Sequence, residues 1–341
     1  MALVVRGFYC GIHDADLAGY ERHGRESLAI SERHGNERIE AIARFLLSQV
    51  AEWSGAYNTA IQLTTRALAL ARKLQTPDVL IFAQWFLAKA RCCTADYGGA
   101  ITLLEEGYRL CDRIGDRAWK TRLLNTLGWC FTEIGSIERA REHNQEAARL
   151  AHELGDPEIL ANANVNLAAN HLALGDLGPA LDYLEPIEAA LTRSDDPWMR
   201  WRYSLHVHHT RGEAELARGE PEKALVSVDD ELNGARRYHA PKIEARALTL
   251  RAATLLVLDR RDAAVATLHE VLEIAGRIGY RRGVWHAHRL LADVMRRAGH
   301  ATAAATHAAE ARAGAEQAAG SLADDDLRRR LVASVLASTT R

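Results

Sequence analysis

The sequence LGWCFTEIGSIERAREHNQEAARLAHELGD, which runs from Leu127 to Asp156, contains one complete unit of a pattern found along the whole chain. Gly135 marks a turn, Ala140 follows it by five residues, and Gly155 closes the unit. Glycine adopts the left-handed conformation that ends a helix, and alanine lets two helices approach closely. The stretch therefore predicts a helix, a tight turn and a second helix.

The alanine of this unit recurs at a nearly fixed interval, and we call its seven copies the ruler alanines. They are Ala60, Ala100, Ala140, Ala180, Ala224, Ala264 and Ala304. Every interval between neighbours is the same except the one from Ala180 to Ala224, which is longer by about one helical turn. A glycine precedes the ruler alanine by five residues in most units and is replaced by Ala95 and Asp259 in two. A helical hairpin cannot bury its apolar face alone, so the hairpins are expected to stack into an all-α solenoid.

The residues at these positions resemble the tetratricopeptide repeat. The run Leu127-Gly128-x-x-Phe131 followed by Ala140 is similar to its helix-packing signature, and the segment 219–224 is similar to its inter-helix turn. The usual tetratricopeptide period is about 34 residues, shorter than the interval from Ala100 to Ala140, so the resemblance implies repeats with lengthened helices. Such long repeats resemble the sensor regions of large bacterial ATP-binding LuxR-type regulators and the tails of some nucleotidyl cyclases. The resemblance implies a right-handed superhelix in which the first helix of each pair lines a concave groove.

The predicted organisation has three parts. Residues 1–36 form a partial N-terminal repeat, residues 37–320 form seven helix pairs, and residues 321–341 form a C-terminal capping helix with Ser321 as its N-cap. The fifth pair, 197–240, is four residues longer than the others, which corresponds to about one helical turn. No stretch of alternating apolar and polar β-branched residues predicts a strand.

Composition argues against several classes of protein. Of 341 residues 48% are hydrophobic, yet no run approaches the roughly 18 apolar residues of a spanning helix, so we expect no membrane partner. The formal net charge of −2 argues against direct binding of nucleic acid, which requires a basic surface. The five cysteines lack CxxC spacing and the N-terminus lacks a cleavage signal, which together favour a reducing, cytoplasmic location.

Recognisable catalytic signatures are missing from the sequence. It contains no phosphate-binding Gly-Lys-Ser/Thr loop, no GxSxG, no HExxH and no GxGxxG. We therefore expect a protein that is not an enzyme and holds no cofactor. The first hypothesis is a protein- or peptide-binding module, the sensor or adaptor part of a bacterial signalling or transcription-regulating system. Self-association into a homo-oligomer through the end helices is a further hypothesis.

Candidate binding residues come mainly from helical spacing in the first helix of each pair. Counted back from each ruler alanine, positions −18, −15, −11 and −8 share one face, which in a tetratricopeptide superhelix is the inner one. The predicted partner-binding residues are Trp85, Lys89, Arg122, Asn125, Trp129, Asn162, Asn166, His206, His209 and Arg289. In this set the tryptophans are apolar anchors, and Lys89 and Arg122 are partners for anions.

Asparagine is concentrated on one predicted helix. Asn162, Asn164, Asn166 and Asn170 crowd this helix, although each costs about 0.5–0.7 kcal/mol relative to alanine there. An amide offers both a donor and an acceptor, which matches the two groups of an extended peptide backbone. Alternatively, these amides bond one another between stacked helices.

A histidine cluster suggests an alternative function. His206, His209 and Glu213 have the spacing of residues on one helix face. One helix supplies only part of a metal site, because structural zinc takes four ligands, so we expect no metal. The alternative is a small-molecule or metal-dependent sensor, or an enzyme, that uses this part of the groove, which is lined by His and Arg.

Overall fold

The computed structural model describes residues 1–336, which form an all-α array as the sequence predicts. No β-strand occurs among these residues. The helices are α1 (Ala2–Ile12), α2 (Leu17–Arg33), α3 (Glu37–Trp53), α4 (Tyr57–Leu74), α5 (Pro77–Cys93), α6 (Tyr97–Ile114), α7 (Arg117–Ile134), α8 (Ile137–Leu154), α9 (Pro157–Leu174), α10 (Leu177–Arg193), α11 (Ser204–Ala217), α12 (Pro221–Arg237), α13 (Pro241–Val257), α14 (Arg261–Ile278), α15 (Arg281–Arg297), α16 (Ala301–Ala319) and α17 (Asp325–Leu336).

The helices of a pair are joined by short turns that contain a left-handed residue. Gly135 and Gly175 occupy this position with φ angles of 83° and 84°. Ala95 and Asp259, where the sequence lacks the glycine, adopt φ angles of 65° and 56°. The turn therefore keeps its geometry without glycine, although a side chain makes this conformation less favourable.

Side chains at the helix starts fix where several of the first helices begin. Asn36, Asp116 and Asp156 each accept a hydrogen bond from the backbone N–H three residues later, at 3.1, 3.0 and 2.9 Å. Pro157 and Pro241 occupy the first turn of α9 and α13, where a helix needs no N–H donor. These residues define the starts of α3, α7, α9 and α13.

The paired helices touch at small residues. All seven ruler alanines are buried, with exposed fractions between 0% and 6%. A Cβ atom placed on Gly128 of α7 would lie only 2.1 Å from the side-chain oxygen of Asn144 on α8. The backbones of α7 and α8 are therefore close enough that glycine is required at this crossing.

Successive hairpins stack mainly where the second helix of one pair packs against the first helix of the next, and their first helices also touch. Helix α5 contacts α7, and α7 contacts α9, in addition to the second helix of each pair. Ile81, Leu104 and Leu123 are fully buried within one cluster that spans α5, α6 and α7. Stacking supplies the apolar burial that a single hairpin lacks.

The longer fifth pair begins with a structure that the other pairs lack in the described part of the chain. Residues Met199–Tyr203 make a π-helical turn that leads directly into α11. This turn places Trp201 against the N-terminal hairpin, where its indole N–H donates to the carbonyl of Ile12 at 3.1 Å. Trp201 also meets Trp53 edge to face, with ring centres 5.1 Å apart. The insertion thus links distant repeats.

The two halves of the solenoid also meet elsewhere across its axis. Trp53 Nε1 donates to the carbonyl of Tyr238 at 2.7 Å, and Arg282 Nη1 donates to the carbonyl of Glu133 at 2.5 Å. Lys242 of α13 lies 4.4 Å from the centre of the Trp129 ring on α7. These contacts bring the inner helices of the two halves together across the axis.

The C-terminal helix packs back on the middle of the solenoid. Leu327, Leu331 and Val335 of α17 are buried in the same cluster as residues of α7. Arg139 of α8 forms an ion pair with Asp324 at 3.2 Å. This helix covers an apolar surface that would otherwise be exposed.

The start of this helix differs from the sequence prediction. It begins at Asp325, because the Asp324 carboxylate accepts the N–H groups of Asp326 and Leu327 at 2.8 and 3.3 Å. The hydroxyl of Ser321, the predicted N-cap, donates instead to the carbonyl of Ala318 at 2.8 Å. Residues 337–341 of the predicted cap lie outside the described residues, and the boundaries of the three predicted parts stay predictions. Within residues 1–336, no helix has the length and apolar character needed to cross a bilayer.

The close contact at Gly128 gives a testable stability difference. We expect Gly128→Ala to lower the free energy of unfolding by about 1–3 kcal/mol, because its methyl group would overlap Asn144. Gly276→Ala, at a helical glycine with no atom within 4 Å of the added methyl, should be neutral or stabilising by up to about 1 kcal/mol. Urea unfolding of both variants measures the difference. Equal effects of the two substitutions would contradict the close approach of α7 and α8.

Candidate binding site on the inner helices

The structure brings most of the predicted site residues onto one inner face, formed by α5, α7, α9, α11, α13 and α15. Arg122 on α7 contacts Glu158 on α9, and Asn125 on α7 contacts Asn166 on α9. These contacts join consecutive inner helices, so the face is continuous. It is also polar, since its side chains carry amides, carboxylates and cations rather than an apolar stripe.

On α5, Trp85 and Lys89 lie one helical turn apart. Lys89 Nζ bonds to Glu52 Oε2 at 2.7 Å and lies 4.8 Å from the centre of the Trp85 ring. Burial alone raises the pKa of Glu52, but the charge and hydrogen bond of Lys89 outweigh it and lower that pKa. Trp85 Nε1 donates to Thr126 Oγ1 at 2.7 Å. Both predicted residues are therefore already engaged within the fold.

The asparagines bond to one another, which is the alternative that the sequence left open. Asn166 Nδ2 donates to Asn125 Oδ1 at 2.9 Å, and Asn144 Nδ2 donates to Asn170 Oδ1 at 2.9 Å. Asn125 is only 3% exposed, and Asn144 and Asn170 are fully buried. Asn162 differs, because its half-buried amide forms no hydrogen bond with any residue in 1–336. Its position four residues before Asn166 places it on the same inner face.

Arg122 and Glu158 form an ion pair with two hydrogen bonds between α7 and α9. Arg122 Nη2 donates to Glu158 Oε2 at 2.6 Å, and the Tyr203 hydroxyl donates to Glu158 Oε1 at 2.8 Å. Trp198 Nε1 adds a hydrogen bond at 3.2 Å. Burial alone raises the pKa of Glu158, but the hydrogen bonds and charge of Arg122, with Arg202 and Tyr203, outweigh it and lower this pKa to about 2.

The two predicted histidines have opposite electrostatic surroundings. His209 lies 2.7 Å from the fully buried Glu231, and His206 lies 3.4 Å from Arg246. Burial and then the charge of Arg246 hold the pKa of His206 well below its usual value. Burial and Arg246 also lower the pKa of His209, but Glu231 and Glu213 reverse the shift and raise it.

The histidines do not form a recognisable metal centre. In the described part of the chain, no cluster of three or more His, Cys, Asp or Glu side chains has the geometry to hold a metal ion. Arg289, the last predicted residue, lies apart on α15 beside Asp293, with 3.8 Å between their charged groups. Asp293 also pairs with Arg296 at 2.6 Å.

Sequence reasoning missed several charged residues of the inner face. They share position −22 relative to a ruler alanine, one helical turn earlier than the positions used: Glu158, Arg202, Lys242 and Arg282 precede Ala180, Ala224, Ala264 and Ala304. Extending the series −18, −15, −11 and −8 by one more turn would have identified all of them. Arg246 occupies position −18 relative to Ala264 and so belongs to the series itself, although it is not among the predicted partner-binding residues.

Two surface grooves lie away from this face. One, of about 420 Å³, lies between α14 and α15, and the other, of about 510 Å³, lies among α2, α3 and α4. Apolar residues such as Val265, Met295, Leu47 and Leu63 line much of them. Neither groove contains a predicted site residue, and the buried charges converge elsewhere. The inner face therefore remains the candidate site.

Comparison with solved structures places this architecture among known folds. A Rap protein complexed with competence and sporulation factor has a TM-score of 0.65 and 12% sequence identity, over 94% of this chain and 99% of the Rap chain. NprR in complex with its cognate peptide NprX has a TM-score of 0.64 and 13% identity, over 98% and 97% of the two chains. The apo form of NprR from B. thuringiensis has a TM-score of 0.54 and 13% identity, over 98% of each chain.

At these identities the likeness shows the fold and no more. The fold is a tetratricopeptide-type helical solenoid. The spacing of glycine turns and ruler alanines and the stacked hairpins agree with this assignment. No protein-family model matches the sequence, and no curated protein matches it significantly in sequence.

The Glu158 cluster predicts a specific pH dependence. Because the pKa of Glu158 is about 2 in the folded protein and about 4.5 in the unfolded chain, its stabilisation is complete above pH 4.5 and is lost as the pH falls toward 2. Between pH 6 and pH 3 this group should account for about 2 kcal/mol of lost unfolding free energy. Urea unfolding of wild type and Glu158→Gln at both pH values measures it. The same pH-dependent loss in the two proteins would rule out the low pKa.

Proposed function

We propose that this protein is a non-catalytic binding module that holds an extended peptide along the inner face of its solenoid. In this proposal it serves as the peptide-sensing or adaptor part of a bacterial regulatory system in the cytoplasm. The observation that carries the proposal is the free amide of Asn162, which lies on the inner face beside the Asn125–Asn166 pair. An amide that is half-buried and unbonded can donate to and accept from a peptide backbone.

The similar solved structures support this reading. The Rap protein is complexed with competence and sporulation factor, and NprR is complexed with its peptide NprX. The chain matches peptide-bound NprR with a TM-score of 0.64 and apo NprR with 0.54, although identity and coverage are nearly the same. The chain as a whole therefore superposes better on the peptide-bound form than on the apo form.

The contacts across the axis must loosen before a peptide can reach the inner face. Polar contacts such as Trp53 to Tyr238 and Arg282 to Glu133 hold the halves together. A peptide enters when the halves separate slightly, and its own contacts then replace or supplement these bonds. Such a ligand shifts the protein between two arrangements of packed helices, which is how a sensor transmits binding.

The predicted residues take different roles in this proposal. The amide of Asn162 recognises the peptide backbone, and the buried Asn125 orients the neighbouring amide of Asn166 through their hydrogen bond. The rings of Trp85 and Trp129 contact the apolar side chains of the peptide. Lys89 and Arg122 bind an acidic group only by sharing it with Glu52 and Glu158, since these carboxylates already occupy them. His206, His209 and Arg289 border the site.

The alternative of a metal-dependent or small-molecule sensor centred on the histidines has less support. One ring nitrogen of His209 bonds to Glu231, and one of His206 faces Arg246. A metal ion would have to compete with both partners. We therefore assign the histidines to the wall of the peptide site.

Asn162 provides a test of the peptide site. We expect Asn162→Ala to weaken binding of peptides selected from a displayed random heptapeptide library by about tenfold, since it removes two backbone hydrogen bonds at roughly 0.5–1.5 kcal/mol each. Isothermal titration gives the affinity, and circular dichroism should report unchanged helicity and melting.

The matched control is Asn164→Ala on the same helix. Asn164 is also half-buried, but two residues along a helix turn its side chain away from the inner face. The Asn164→Ala substitution should therefore leave peptide affinity unchanged. Failure of the wild-type protein to select any peptide, or equal affinities for the two variants, would refute the proposed site.

A further inference from the structure

Two histidines of the last hairpin hold their ring nitrogens in direct contact. His288 of α15 and His307 of α16 have their Nδ1 atoms 3.0 Å apart, with ring centres separated by 5.2 Å. Both side chains are half-buried. In a neutral imidazole one ring nitrogen donates and the other accepts, so the two Nδ1 atoms share a single proton. Two nitrogen atoms from different helices thus meet at one point.

This pair faces away from the proposed peptide site. His286 occupies position −18 relative to Ala304 and belongs to the inner series, whereas His288 follows it by two residues. Two residues turn a side chain by about 200° around a helix. His288 is therefore directed toward the second helices of the repeats, where it meets His307. The peptide proposal assigns no role to either ring of this pair.

A third histidine and a carboxylate lie near the pair. Burial lowers the pKa of both His288 and His307, and the charge of His269 on α14 lowers the pKa of each further. The charge of Glu310 on α16 acts in the opposite direction on both. His269 and Glu310 are exposed at the surface of this cluster. A cation at the pair therefore has a carboxylate within electrostatic reach and access from solvent.

The separation of the two nitrogens suits a divalent transition-metal ion. Bonds from such an ion to imidazole nitrogen are about 2.0–2.1 Å long, so two bonds at a right angle place the nitrogens about 2.9 Å apart. Two bonds at a tetrahedral angle place them about 3.4 Å apart. The observed 3.0 Å is closer to the right angle of a tetragonal site, which Cu²⁺ and Ni²⁺ prefer, than to the tetrahedral geometry of zinc.

Packing of the hairpin holds the two rings in place. Ala304 is buried one helical turn before His307, and Ala287 is buried next to His288. Both helices are thereby fixed at the separation that the rings require, and little conformational freedom is lost when an ion binds. The pair offers two ligands, in agreement with the lack of a metal-binding cluster of three or more residues within residues 1–336.

We propose that His288 and His307 form a site for a divalent transition-metal ion of the Cu²⁺ or Ni²⁺ class. The ion replaces the proton between the rings, which moves to Nε2 of the ring that held it, and both rings tilt so that their lone pairs point at the ion. Water molecules from the exposed side complete its coordination, and Glu310 offsets part of its charge. The bound ion links α15 to α16 and stabilises the last hairpin. This site and the proposed peptide site are independent.

Isothermal titration of the untagged protein with Ni²⁺ tests the site. Wild type should bind one ion per chain at this pair. His307→Gln should weaken that binding by at least about tenfold, since even the loss of a hydrogen-bond partner of a metal ligand costs about 10–100-fold in affinity. Glutamine can still hydrogen-bond to His288, so circular dichroism should report an unchanged fold. The matched control His152→Ala, at an exposed histidine of α8, should leave Ni²⁺ affinity unchanged.

Electron paramagnetic resonance of bound Cu²⁺ counts the nitrogen ligands directly. One equivalent of Cu²⁺ should show coupling to two imidazole nitrogens in wild type and in His152→Ala, and to at most one in His307→Gln. A hydrogen bond with no role in metal binding would produce no such difference. The same spectrum and the same Ni²⁺ affinity in all three proteins would mean adventitious binding at scattered surface histidines only and would overturn the proposal.

Thermal unfolding checks that the ion joins the two helices. Ni²⁺ at about a hundredfold excess over its Kd should raise the melting temperature of wild type by about 2–4 °C, because it binds only the folded hairpin. The same Ni²⁺ concentration should leave the melting temperature of His307→Gln unchanged, and EDTA should reverse the effect in wild type. An equal rise in both proteins would overturn the assignment to this pair. Peptide affinity should be the same in both proteins, since the two sites are separate.

Discussion

The close contact of paired helices at small residues is the constraint on which the rest of this structure depends. The ruler alanines are buried in every pair, and Gly128 permits an approach at which even one added methyl group would overlap Asn144. This spacing fixes the distance between consecutive inner helices. It thereby determines that Arg122 reaches Glu158 and that Asn125 reaches Asn166.

The inner face is ionic where an ordinary core would be apolar. Lys89 pairs with Glu52, and Arg246 pairs with Glu231, on this face. Each of these side chains except Glu231 keeps a fraction of its surface in contact with solvent. Burying such pairs contributes little net stability compared with apolar packing. Such a face suits the polar backbone of the proposed peptide better than an apolar ligand.

The fold could be predicted from sequence because it is encoded at regular, local spacing. The ruler alanines and Gly135 mark hairpins whose helices end where the spacing indicated, and the left-handed turn is retained even at Ala95 and Asp259. The inner face could be predicted only in part. Glu158 and Lys242 follow the same periodicity one turn earlier, so a longer series would have included them.

Other features of the site could not be derived from spacing. Contacts across the axis, such as Lys242 with Trp129, depend on how far the superhelix turns, which is the sum of small rotations between repeats. The bonding of Asn166 to Asn125 likewise depends on side-chain geometry between two helices. For the amides, the sequence left two outcomes open, and only the three-dimensional arrangement of α7, α8 and α9 distinguishes them.

The links between distant repeats alter how this array should be expected to fold. An open repeat array is nearly one-dimensional, so each unit depends on its immediate neighbours and melting can spread from either end. Here Trp201 bonds to Ile12 over 189 residues of sequence, and Arg139 bonds to Asp324 over 185. These contacts make the array behave like a closed ring of repeats and not like an open chain. Loss of one end repeat therefore weakens the opposite side, and the repeats unfold cooperatively.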